Sequence, residues 1–109
     1  MAKDATHSVL IKDLAEGGMI VCTHETTEIV VCRTKDGIYA LQNLCTHADA
    51  RLSEGRLRGN RLICPLHGAA FDVRDGRVLG APATSPLVCY PVHVVGEQIE
   101  VRTQGAKQT

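Results

Sequence analysis

The chain has no excess of either charge. Twelve basic side chains balance twelve acidic ones among 109 residues, which argues against a nucleic-acid or polyanion binder. No apolar run approaches the ~18 residues of a membrane span, and Met1-Ala2-Lys3-Asp4 opens no apolar signal stretch. A cytoplasmic protein with no membrane association is therefore expected. Gly-rich phosphate loops and flavin or nicotinamide fingerprints are missing. The three serines, Ser8, Ser53 and Ser85, have no recognisable nucleophile context. Internal repeats and low-complexity tracts are absent, and the one stretch with helical character, 11–17, is short and ends in Gly17-Gly18.

What is present is β-structure almost throughout. Short β-rich runs occur at 7–11, 19–23, 28–33, 38–42, 61–63, 70–73, 77–79, 88–95 and 98–102. Turn signals such as Lys35-Asp36-Gly37, Arg74-Asp75-Gly76 and Gly96-Glu97 separate them and suit hairpin connections. The pattern predicts an all-β, antiparallel sandwich or barrel-like domain. A length of 109 residues with 44% hydrophobic side chains fits one domain, 1–109, with a modest core and little room for a substrate pocket. The polar tail 103–109 reads as frayed.

Two loops between strands carry metal-ligand chemistry. Cys45-Thr46-His47 is C-x-H and Cys64-Pro65-Leu66-His67 is C-x-x-H, separated by sixteen residues. Each offers one thiolate and one imidazole. In extended chain, residues i and i+2 project to the same side about 6.5–7 Å apart. That is wide for one small ion and comfortable for two adjacent irons. The order Cys, His, Cys, His also differs from a C2H2 zinc finger, where both cysteines come first.

With these motifs, over roughly 9–101, the chain resembles the Rieske [2Fe-2S] proteins. The resemblance implies the Rieske fold, with a loop-rich cluster-binding subdomain at about 43–83, and one [2Fe-2S] cluster. Cys45 and Cys64 would bind one iron, and His47 and His67 the other. Two neutral imidazoles in place of two thiolates make the site less negative, so an incoming electron meets less repulsion. Such centres span about −150 to +300 mV, against about −400 mV for all-cysteine plant-type clusters. The added electron should settle on the imidazole-bound iron, marking His47 and His67 as the exit.

Potential-raising members of the family pair a cysteine from each loop, and they aim a serine and a tyrosine hydroxyl at the cluster sulfurs. The corresponding positions here are Ala50 or nearby and Leu66 for the bridge, and Ala69 and Phe71 for the hydroxyls. None can play those parts. A potential near the low end, on the order of −150 mV, is expected.

The resemblance implies a soluble ferredoxin rather than a membrane-anchored respiratory subunit: an electron-transfer component, not itself an enzyme, and a monomer. It would take electrons from an NAD(P)H-dependent flavoprotein reductase and pass them to a terminal Rieske non-haem iron oxygenase of an aromatic-ring dioxygenase system. The small Rieske subunit of an assimilatory nitrite reductase is the close rival. From a different class, the same four donors closing on one zinc ion would make a structural binding module. Gly68 would permit positive φ or close backbone approach, and Gly80-Ala81-Pro82-Ala83 resembles the proline-bearing loop that covers the cluster.

The remaining cysteines, Cys22, Cys32 and Cys89, lie in strand-like apolar runs and read as small buried hydrophobes. His24 and His93 are expected to face solvent. From Ala48 to Arg77, six arginines face four acids, a local positive excess suited to steering an acidic partner.

Overall fold

The computed structural model describes residues 6–46 and 49–108, and these fold into three antiparallel sheets. The middle sheet has the order β12-β9-β4-β3-β2, from β2 (Met19–His24), β3 (Thr27–Thr34), β4 (Gly37–Gln42), β9 (Val88–Tyr90) and β12 (Lys107–Gln108). One outer sheet is β1-β11-β10, from β1 (Thr6–Leu10), β10 (Val92–Val95) and β11 (Gln98–Arg102). The other is β5-β6-β7-β8, from β5 (Arg56–Arg58), β6 (Arg61–Ile63), β7 (Ala70–Asp72) and β8 (Val78–Gly80). The all-β expectation holds.

Two core layers follow from strand alternation. Ile29 and Val31 of β3 join Leu14, Ala40, Ile99 and Val101 beneath the three-stranded sheet. Val30 and Cys32 of the same strand join Leu41, Leu52, Leu62, Phe71, Val73 and Leu87 beneath the four-stranded one. All four residues from Ile29 to Cys32 are fully buried, so β3 is covered on both faces. Burial pushes the Cys32 thiol up to about 12, as suits a packing residue rather than a reactive one.

Three local departures from the sequence reading have physical causes. The run 88–95 is two strands, because Pro91 has no N–H to give a ladder and the chain changes sheets there. The helical stretch is only a 3-10 turn, Ile11–Asp13, after which Arg33 Nη1 donates to the Leu14 carbonyl at 2.9 Å. β5 was not anticipated, since Leu57 is its single apolar residue between two arginines. Past β11, the backbone of Lys107 and Gln108 pairs with Cys89 and Val88.

His93 is exposed as expected, but His24 is half-buried. β2 extends far enough that His24 shares the inward face of Ile20 and Cys22, and its ring meets that of His7 edge-on at 5.3 Å.

At the end of β7, Asp72 anchors the turn into β8. Its carboxylate accepts from the Arg74 backbone N–H at 2.9 Å, from Arg74 Nε at 3.0 Å and Nη2 at 2.8 Å, and from Arg77 Nη2 at 3.3 Å. The Arg74 hydrogen bonds outweigh burial and hold the carboxyl down at about 2 instead of 3.8. The folded value lies below the unfolded one, so this carboxylate stabilises the fold above about pH 4 and loses its effect as pH falls toward 2. Asp72→Asn should therefore cost ~1.5–3 kcal/mol of unfolding free energy at neutral pH, the scale of hydrogen bonds to a charged group. The deficit should shrink below about pH 4 in a series of urea titrations.

Candidate metal centre

Both motif cysteines open a loop that is closed in the same way. In the first, Leu44 bridges Arg51 and the Cys45 N–H donates to the Ala50 carbonyl at 2.9 Å. In the second, Ile63 pairs with Ala70 and the Cys64 N–H donates to the Ala69 carbonyl at 2.7 Å. Each tip thus spans six residues from cysteine to alanine, and each is a hairpin end whose base is fixed by backbone pairing. Cys45 and Cys64 are 3% and 2% exposed and sit in one core layer.

The two sulfurs lie against each other. Burial pushes the Cys64 thiol up, the Leu66 backbone N–H opposes this, and the Cys45 side chain adds to the rise through a hydrogen bond and charge repulsion. Two adjacent buried thiols are a poor place for negative charge unless a cation shares it. A metal that takes both as thiolates meets that need, so the donor chemistry fits an iron–sulfur group.

His67 stands apart from this buried pair. It is exposed, with φ 63°, and is followed by Gly68 at φ 74°. A non-glycine residue in the left-handed region costs of order 1 kcal/mol and tends to persist where function requires the resulting direction. Nothing else in the protein lies within 4 Å of a Cβ built on Gly68, so among protein contacts it is the turn's positive φ that calls for glycine. Exposed apolar side chains border the loops: Leu44 is 51% exposed and Leu66 is 45%. His47 lies outside the described residues. No group of three His, Cys, Asp or Glu side chains among the described residues gathers around a single ion position.

Sequence reasoning passed over the residue that ties the first loop down. Asn43 is fully buried two positions before Cys45. Its Nδ2 donates to Glu28 Oε1 at 3.1 Å and Ser53 Oγ at 3.0 Å, while its Oδ1 accepts from the Ser53 N–H at 2.8 Å. Its backbone N–H donates to the Glu28 carbonyl at 2.9 Å and its carbonyl accepts from the Leu52 N–H at 2.6 Å. The side chain therefore joins β3, the start of the ligand loop and the 3-10 turn Leu52–Glu54. The signal was an asparagine directly after an apolar strand, which also reads as an ordinary turn residue. On the other side, Thr46 Oγ1 donates to the Ser85 carbonyl at 2.7 Å, tying this loop to the segment after Ala83, itself buried.

The sequence pattern of the Rieske [2Fe-2S] domain matches residues 6–91. The chain belongs to this family. Among curated relatives, the ferredoxin component of the naphthalene 1,2-dioxygenase system of Pseudomonas aeruginosa is 39% identical over 94 residues, covering 86% of this chain and 90% of the relative. The corresponding Pseudomonas putida component is 41% identical over 87 residues, covering 80% and 84%. In structure, a chain in the complex of reduced oxygenase and oxidized ferredoxin of carbazole 1,9a-dioxygenase superposes with a TM-score of 0.89. It is 32% identical and covers 95% of this chain and 97% of that one. A nitrite reductase small subunit from Mycobacterium tuberculosis gives a TM-score of 0.74 at 23% identity, covering 93% and 96%, and shares the fold.

Two substitutions probe the centre. Cys64→Ser should yield folded protein depleted of iron and acid-labile sulfide, read by elemental analysis and loss of visible absorbance. Asn43→Ala should lower unfolding free energy by ~1–3 kcal/mol, because Glu28 and Ser53 lose their buried partner; chemical denaturation measures this directly.

Proposed function

We propose that this chain is the ferredoxin of an aromatic-ring dioxygenase system. It takes single electrons from an NAD(P)H-dependent flavoprotein reductase and delivers them to a terminal Rieske non-haem iron oxygenase. The observation that carries this is the pair of buried, interacting cysteines with an exposed histidine three residues after the second, in a chain about 40% identical to naphthalene dioxygenase ferredoxin components. Cys45, Cys64, His47 and His67 are the proposed ligands of one [2Fe-2S] cluster, within a cluster-binding subdomain at about 43–83. Reversible storage of one electron is what that group supplies when bound.

The residues of this chain supply the rest. Cys45 and Cys64 seat the sulfur-ligated end inside the core layer, away from water. His67 lies at the surface, where a partner's redox centre can come close. Ala69 and Phe71 are fully buried and offer no hydroxyl, which supports a potential near the low end of the family range, on the order of −150 mV. No helix among the described residues is long and apolar enough to cross a membrane. A monomer working in the cytoplasm accords with an encounter that must be brief, through an interface below about 1,200 Å².

The nitrite reductase reading has only a shared fold behind it, at 23% identity. Reconstitution separates the two. With a dioxygenase-system reductase and terminal oxygenase, the purified protein should support NAD(P)H-dependent turnover of an aromatic substrate and show a reduced-state EPR signal. Support of nitrite reduction alone would replace this reading with its rival, and a colourless zinc protein would eliminate both.

A further inference from the structure

The six arginines around the ligand loops are not equivalent. Arg51 is held by Glu28 at 2.9 Å and Glu54 at 3.6 Å, while Arg74 and Arg77 converge on Asp72 at 2.8 and 3.3 Å. Arg56, Arg58 and Arg61 are exposed and have no ion-pair partner among the described residues. They lie on one side of the β5–β6 hairpin, since the alternating residues Leu57 and Leu62 pair across it and turn into the core layer.

Arg58 and Arg61 sit directly opposite each other in the ladder. Like charges so placed repel, and the carboxylate opposite Arg61 on the next strand, Asp72, is already taken by Arg74 and Arg77. The strand that carries Arg61 ends at Ile63 and leads straight into Cys64. A cleft of about 410 Å³ runs from Arg56 and Glu54 past Ile63 and Cys64 to Pro65 and Gly68, joining this cationic stripe to the second ligand loop. With a formal net charge of zero, the chain has no net charge with which to draw a partner in. Electrostatic steering of an encounter then has to come from local charge.

We propose that Arg56, Arg58 and Arg61 form a docking stripe for an acidic face of the terminal oxygenase, seating that partner beside the His67 loop. The inference rests on the function proposed above. The choice of occupant follows from the chain of TM-score 0.89, which belongs to a structure of a ferredoxin complexed with its oxygenase. Carboxylates on the partner would supply the countercharge that the hairpin lacks, and the cleft would admit side chains from the same face.

Stopped-flow oxidation of the reduced holoprotein by its oxygenase, across ionic strengths, tests this. Arg58→Glu should slow the second-order rate roughly tenfold or more at low salt and flatten its salt dependence. Arg58→Lys should restore most of the rate, and Lys12→Glu, an equal charge change in the exposed Ile11–Asp13 turn, should leave it near the parent value. Visible spectrum and midpoint potential should stay unchanged in all three. A parent-like rate for Arg58→Glu, or equal slowing by Lys12→Glu, would overturn the stripe. Slowing confined to reduction by the reductase would overturn the oxygenase as its occupant. Failure of the parent protein to reduce any dioxygenase-system oxygenase would instead remove the function on which the inference stands.

Discussion

Two thiols pressed together inside a protein, away from water, are unstable as anions and gain little as neutral groups. Cys45 and Cys64 are in this position, and the architecture around them exists to keep them there. Two hairpin ends from different parts of the chain must meet, each with its base pinned by backbone pairing. The core layer of Val30, Leu41, Leu52, Leu62 and Phe71 fixes how those hairpins approach. The fold can be understood as a frame that holds two neutral thiols adjacent, in a place where both can ionise only when a cation shares their charge.

The same frame treats its two kinds of donor differently. Sulfur is kept in the dry layer, where low dielectric strengthens its bond to a metal. Imidazole, at least from the second loop, is turned to the surface through a left-handed backbone step at His67 and Gly68. With the ligands proposed above, charge would be stored in a protected interior and exchanged at an exposed ring. That division of labour suits a carrier more than a catalyst.

Much of this was legible in the residues. The C-x-H and C-x-x-H spacing pointed to the Rieske family, whose sequence pattern the chain matches, and punctuated apolar runs marked the all-β class and most strands. Other features lacked a local signal. Arg56-Leu57-Arg58 has one apolar residue, and is a strand because Leu62 across the hairpin shares its inward face. Asn43 looked like a turn residue, and its five hydrogen bonds reach segments as distant as Glu28 and Ser53. The sorting of six arginines into three that are ion-paired and three without an ion pair among the described residues also depends on tertiary placement, which spacing cannot express. Pro91 was visible in the sequence, yet only the ladder partners on either side reveal that it sends the chain from one sheet to another.

Backbone closure of both ligand tips, Cys45 to Ala50 and Cys64 to Ala69, has a kinetic corollary. A redox site hops between charge states quickly only when its nuclei scarcely move. Loop roots clamped in this way would limit how far the proposed centre rearranges between its charge states. With His67 as a ligand, shielding its exposed ring from water during an encounter would lower the remaining cost of the hop.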